Sequence, residues 1–189
     1  MAYLSETALN TLGFKSLGKN VKISDKAAIY NSELIEIGDY SRIDDFCIVS
    51  GRVVLGRYCH ITPMCLIAGG APGIYMDDYA TCAYGVKIFS QSDDYSGETM
   101  VNSLIPKQFK KEFFAAVHIK RHVIIGANTV IFPGVTLEEG TSVGAMSLVT
   151  KSTQAWWVYT GIPAKPHKVR SQNLLTLEKI FKANEYDSI

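Results

Sequence analysis

The stretch "IKRHVIIGANTVIFPGVTLEEGTSVGAMSLVTKSTQ", residues 119–154, decides the fold. An aliphatic stands at Ile119, Ile125, Ile131, Leu137, Val143 and Val149, each six residues after the last. The fifth place of each hexad is small or β-branched: Val123, Thr129, Val135, Thr141, Ser147 and Thr153. Neither the 3.6-residue period of a helix nor the alternation of an ordinary strand yields this pattern. Short strands joined by turns every six residues build, three at a time, a triangular coil of about 18 residues with its aliphatics stacked along the axis. The segment predicts a parallel β-helix.

The pattern extends backwards. "IGDYSRIDDFCIVSGRVVLGRYCHITPMCLIAGGAP" repeats it from Ile37 to Ile67, with Ser41, Cys47, Val53, Cys59 and Cys65 in the fifth place, so three cysteines read as small apolar fillers. Weaker repeats carry it back to Leu17 and forward through "IYMDDYATCAYGVKIFSQ", giving an all-β solenoid of about five coils over residues 17–170. Residues 1–16 read as a short capping helix. Residues 171–189, with Leu174, Leu177, Ile180 and Phe181 at helical spacing after a Ser171 cap, read as an amphipathic C-terminal helix. Trp156 and Trp157 follow the last hexad, where packing over the coil end is the default for large aromatics.

Composition narrows the function classes. With 19 basic and 18 acidic residues among 189 and no long charge run, the chain lacks the basic footprint of a nucleic-acid binder. No apolar run approaches the ~20 residues of a membrane helix and no targeting segment opens the chain, so a soluble, cytoplasmic protein without membrane insertion is expected. The four cysteines form no CxxC pair and imply no disulfides.

The hexads, the phrase "IGANTVIFPGVTLEEGTSVGAMSLVTK" and the following "YTGIPAK" together resemble the hexapeptide-repeat acyltransferases. That resemblance implies a left-handed parallel β-helix acting as a homotrimer, with acetyl-CoA as co-substrate and no metal. It places the pantetheine arm in a groove between subunits along Ala127 and Ala145, one coil apart. Thr150 and Lys151 fall where the family contacts the cofactor. Lys165, Lys168 and Arg170 lie just beyond the exit turn, either as solvated charge or as partners of the nucleotide's phosphates through charge-assisted hydrogen bonds.

One segment breaks the period. Residues 91–118 contain no hexad, and a structureless loop longer than ~15 residues inside a compact domain is usually functional or disordered. Its aromatics Phe109, Phe113 and Phe114 suit an anchor on the coils or on a neighbouring subunit. By the resemblance, a catalytic histidine stands near the start of such an excursion, but here "VKIFSQSDDYSG" puts Asp93 or Asp94 in that place, and no histidine lies between His60 and His118. Acylation of an alcohol calls for a base such as histidine, which contributes about 10²- to 10⁴-fold. An aspartate of ordinary pKa near ~4 is a poor base for that task. A sugar amine is already a good nucleophile once neutral and needs only a carboxylate to take or relay its ammonium proton. The family resemblance implies a sugar acceptor, and with the loop histidine missing the expectation is the amine of a nucleotide-linked amino-deoxy sugar used in surface polysaccharide assembly, attacking the thioester directly. The competing reading of "SDDYSG" is an Asx-type turn whose acids satisfy backbone amides.

Other readings stay open at this stage. His60 closes the hexad "LGRYCH" at a coil corner and is the candidate base for O-acetylation of a saccharide hydroxyl. His118 and His122, four apart, would share a strand face and with His60 suggest the three-histidine zinc site of a γ-class carbonic anhydrase, although the spacing matches poorly. His167 reads as surface. A trimeric scaffold without activity, and a xenobiotic acceptor, are also compatible with the repeats.

Overall fold

The computed structural model describes residues 2–186. Three parallel sheets form the walls of a triangular prism. The first runs through Ser16–Leu17, Ile35–Ile37, Val53–Leu55, Ile74–Met76, Val117–Ile119 and Thr136–Leu137. The second runs through Lys22–Ile23, Arg42–Ile43, His60–Ile61, Thr81–Cys82, Ile124–Ile125, Ser142–Val143 and Trp157–Thr160, and the third through Ala28–Tyr30, Ile48–Ser50, Leu66–Ala68, Lys87–Phe89, Val130–Ile131 and Leu148–Val149. The first and third walls therefore hold six strands each, and the second gains a seventh parallel strand. The chain makes about seven turns rather than the five expected, because the weaker repeats flanking the clear hexads complete coils of their own.

The hexad aliphatics fill the prism: Ile119, Ile125, Ile131 and Leu137 are wholly buried, as are Ile43, Ile61 and Ile67. Thr129, Thr141 and Ser147 in the fifth places are also buried, and each meets its hydroxyl's demand locally, as when Thr129 Oγ1 donates to the Gly144 carbonyl at 3.0 Å. The four cysteines are buried and unpaired. Cys47 donates to the Thr62 carbonyl at 3.1 Å, while Cys59 and Cys65 reach the carbonyls of Asp77 and Ala83, both at 3.3 Å. Burial pushes the Cys59 thiol up to about 12 and raises that of Cys82 as well.

Most corners turn through a residue with positive φ, and many of these are bulky. Tyr40, Tyr58, Tyr79 and His122 all adopt it, at φ of 60°, 56°, 62° and 60°. The left-handed region is costly for such side chains. Stacking offsets the cost: Tyr40 on Tyr58 at 4.9 Å, Tyr58 on Tyr79 at 5.4 Å and Tyr79 on His122 at 5.1 Å, all within 8° of parallel. Aromatic pairs of this kind contribute about 0.5–1.5 kcal/mol each beyond burial. Trp156 reaches the same corner, its ring lying where a Cβ on Gly140 would stand.

Both ends carry helices. Helix α1, Glu6–Thr11, is capped by Ser5 and sends Leu9 into the core beside Val21 and Ile23. Helix α2, Leu174–Tyr186, begins three residues after Ser171, whose hydroxyl instead accepts from the Asn173 amide at 3.3 Å. It lies along the aromatic corner, with Phe181 edge-on to Tyr58 at 5.3 Å. Glu178, buried, accepts from His122 Nε2 at 2.8 Å, pairs with Lys182 at 2.7 Å and is held by Arg121. Burial works against its charge, but the bonds from Lys182 and His122 and the Arg121 charge win, bringing its carboxyl down from 4.5 to about 2.

Candidate active site

The solenoid is interrupted once by an arm, residues 91–116, leaving the third wall after Lys87–Phe89 and returning to the first at Val117–Ile119. It is not structureless, and it ends before Val117 and His118, which already belong to a coil. Its base is fixed by Ser90, buried, whose hydroxyl donates to the Gly69 carbonyl at 2.5 Å and whose own carbonyl accepts from the Ala115 amide at 3.0 Å. Above that, Gln91–Ser92 and Phe113–Phe114 form a short antiparallel stem. The β-propensity of "EFF" was the available signal, but pairing it with "SQSD" requires contacts the hexads do not encode.

The stem separates the roles of the two adjacent aspartates. Asp94 organises the arm's own turn: its carboxylate accepts from the Ser96 hydroxyl and amide at 2.6 and 2.8 Å and from the Thr99 hydroxyl and amide at 2.9 and 3.1 Å. The Ser96 hydroxyl leads these bonds in holding the Asp94 carboxyl at about 2. Asp93, by contrast, has a carboxylate with no hydrogen bond or ion pair among the described residues. It stands on the wall of an open cleft of about 400 Å³ with Phe89, Tyr95, Glu112 and Phe132, and on that of a neighbouring one with Glu112 and Phe113. Glu112 was not among the residues picked out from the sequence.

His60 sits elsewhere, on the second wall. Its Nε2 lies 2.8 Å from Asp44 Oδ2 and 3.0 Å from the Arg42 Nε, and Asp44 is itself almost wholly buried. The cleft beside the arm is built from the third wall, so His60 and Asp93 belong to different faces of one chain. His118 stacks on Tyr75 at 5.1 Å from the first wall, whereas His122 turns the aromatic corner. The expected shared strand face is absent because a corner falls between them. Among the described residues, no group of three or more histidines, cysteines or acids is placed to hold a metal ion.

The residues assigned to acyl-CoA are spread over three corners and the exit strand. Ala127 and Ala145 occupy equivalent turn positions of successive coils, tied by the Met146 amide donating to the Ala127 carbonyl at 2.8 Å. Neither alanine's own amide donates to a partner among the described residues, so two N–H groups stand one coil apart beside methyl side chains. This fits a pantetheine arm, whose amides need partners and close approach. Thr150 and Lys151, exposed, turn the next corner, below the base of the arm. Lys165 and Lys168 are exposed on Lys165–Val169, which pairs antiparallel with Trp157–Thr160. Arg170 is placed otherwise than a phosphate ligand: one guanidinium nitrogen donates to the carbonyls of His122 at 2.8 Å and Gly140 at 3.0 Å, tying the tail to the aromatic corner.

No family model matches the chain. It is 43% identical over 185 residues, 96% of each chain, to the dTDP-4-amino-4,6-dideoxy-D-glucose acyltransferase of Escherichia coli. It matches the structure of AntD, an N-acyltransferase from Bacillus cereus in complex with dTDP and 3-hydroxybutyryl-CoA, with TM-score 0.96 and 42% identity, covering 97% of this chain and 98% of that one. A serine variant of AntD in complex with dTDP-4-amino-4,6-dideoxyglucose and coenzyme A matches with TM-score 0.96 and 43% identity, covering 97% and 98%.

Proposed function

Because the chain belongs to the family of dTDP-4-amino-4,6-dideoxy-D-glucose acyltransferases, we propose that it transfers an acetyl group from acetyl-CoA to the amine of a dTDP-linked amino-dideoxy sugar. The observation that carries this reading is the unpartnered Asp93 carboxylate beside the aromatic cleft of the arm. A carboxylate can draw in the sugar's ammonium and accept its proton. The neutral nitrogen then attacks the thioester carbonyl, and no covalent enzyme intermediate is required. Backbone amides at the corner of Ala127 and Ala145 hold the donor and are the available stabilisers of the oxyanion.

Several observations support the assembly and setting. Tyr95, 92% exposed, and Leu104, 89% exposed, stand on the arm with Phe109, Phe113 and Phe114 as an uncovered apolar set. Such a patch suits an interface between copies, and a homotrimer in which each arm reaches its neighbour would close the cleft. No helix among the described residues is long and apolar enough to cross a membrane, in keeping with a cytoplasmic enzyme that works on a nucleotide sugar for surface polysaccharide.

The test is release of free thiol from acetyl-CoA with dTDP-linked 4-amino sugars, the free amino sugars and matching hydroxyl sugars. Turnover confined to the amines, and lost in Asp93→Asn, supports the reading. Turnover of hydroxyl sugars alone, with Asp93→Asn fully active, overturns it. Sedimentation equilibrium supplies the oligomeric state, with three copies expected.

A further inference from the structure

The arm's stem sets two carboxylates against each other. Ser92 pairs with Phe113, and the next positions outward on the two strands are Asp93 and Glu112. Both acids border the two clefts that meet at this ridge. Like charges facing each other across paired strands oppose the pairing. Only Glu112 is compensated, its Oε1 lying 3.2 Å from the Nζ of Lys110, whose side chain is 6% exposed. Around the ridge four carboxylates, Asp93, Asp94, Glu98 and Glu112, stand against two ammonium groups, Lys111 on the cleft and Lys110 on Glu112, which leaves it short of positive charge. A cation bearing N–H donors, placed between the clefts, completes it.

We propose that Glu112, held by Lys110, is a positioning residue that fixes the acceptor's ammonium opposite Asp93 and so selects amino over hydroxy sugars. This rests on the reading of Asp93 as the residue that meets the acceptor amine. The two acids then differ in task. Asp93, without a partner, accepts one proton from the sugar ammonium, and the freed nitrogen lone pair forms the N–C bond to the thioester carbonyl carbon. Collapse breaks the C–S bond, the second nitrogen proton is lost, and the departing thiolate takes up a proton. The balance is R–NH₃⁺ plus acyl-S-CoA giving R–NH–acyl, CoA-SH and one H⁺ released to solvent. Glu112 keeps its ion pair with Lys110 and transfers no proton.

The experiment compares binding of two dTDP sugars that differ only in a 4-amino or 4-hydroxyl group, to wild type, Glu112→Gln and Glu112→Asp, with steady-state kinetics alongside. Wild type is expected to bind the amino sugar at least about tenfold more tightly, the scale of one charge-assisted hydrogen bond. In Glu112→Gln this preference collapses towards parity. The KM for the amino sugar rises about ten- to a hundredfold while kcat stays within about threefold and the KM for acetyl-CoA is unchanged. Glu112→Asp recovers part of the preference, and Lys110→Gln, which keeps the carboxylate but frees it, loses part. An amine preference undiminished in Glu112→Gln and Lys110→Gln overturns the inference. Failure of wild type to bind either dTDP sugar overturns the reading of the acceptor itself.

Discussion

Tyr79 and His122 stack 5.1 Å apart, 8° from parallel, although the whole arm is inserted between them. The first wall is likewise unbroken, with Ile74 paired to Val117 across the same insertion. The arm is thus an appendage on a finished solenoid. Replacing residues 91–115 by a two-residue Asn-Gly corner is expected to leave the circular dichroism spectrum unchanged and to shift Tm by only a few degrees, while acylation and binding of the nucleotide sugar are lost.

The adjacent aspartates are expected to fail in different ways. Asp93→Asn should lower kcat for an amino sugar by about 10²- to 10⁴-fold and leave the arm's protection from proteolysis intact. Asp94→Asn turns one of the two oxygens that share four hydrogen bonds into an NH₂ donor facing donors, so the arm should be cut faster by protease and KM should rise more than kcat falls. Since the Asp94 carboxyl is held at about 2, its turn persists through mildly acidic solution. Any acid limb in the rate above about pH 3.5 belongs to another group.

Glu178 links α2 to the coils, and its pH dependence has a definite sign. Its folded value, about 2, lies below the ordinary 4.5. The stabilisation it contributes is therefore complete above about pH 4.5 and is lost as pH falls through 2. Glu178→Gln should lower stability by about 1–2 kcal/mol, a figure already reduced for the partial exposure of Arg121 and Lys182. The variant should also show less acid destabilisation between pH 4.5 and 2 than wild type, as read by thermal melts across that range.

The basic tail should divide along structural lines. Arg170→Met, which strips two backbone carbonyls of their charged donor, is expected to cost about 1.5–3 kcal/mol in stability with little change in the KM for acetyl-CoA. Lys165→Ala with Lys168→Ala should do the reverse, raising that KM severalfold and flattening its dependence on salt. Urea melts and kinetics at two ionic strengths separate the two effects.

Within the core, Ile125→Ala should cost about 2–5 kcal/mol. Ile125 is wholly buried between Cys82 and Val143 on the second wall, where the rigid stack above and below limits collapse into the void. A Tm drop in differential scanning calorimetry, without change in the m-value, is the expected signature.

The sequence disclosed what repeats and concealed what depends on stacking. Every hexad aliphatic from Ile119 to Val149 lies in the prism interior, because a side chain's fate there follows from its place in the six-residue period. The corners are different. Tyr40, Tyr58, Tyr79 and His122 are spaced irregularly along the chain, and their left-handed backbone runs against local propensity, so only the assembled coils reveal them as one column. The same limit applies to the site. Asp93 and Asp94 were visible as a break in the period, but which one builds the turn depends on Ser96 and Thr99 closing on Asp94. Glu112 entered only through the antiparallel stem, and Arg170 looked like a free charge until its carbonyl partners were in place.

The buried thiols give the molecule an internal clock. Cys47, Cys59 with Cys65, and Cys82 occupy three successive levels of the prism, each thiol sealed from solvent, and those of Cys47, Cys59 and Cys82 are raised well above the ordinary thiol value. An alkylating reagent can reach one only when its own level comes apart. The order in which the four become labelled therefore records the direction in which the coil unwinds, from the α1 end, from the α2 end or all at once, without any probe being added to the chain.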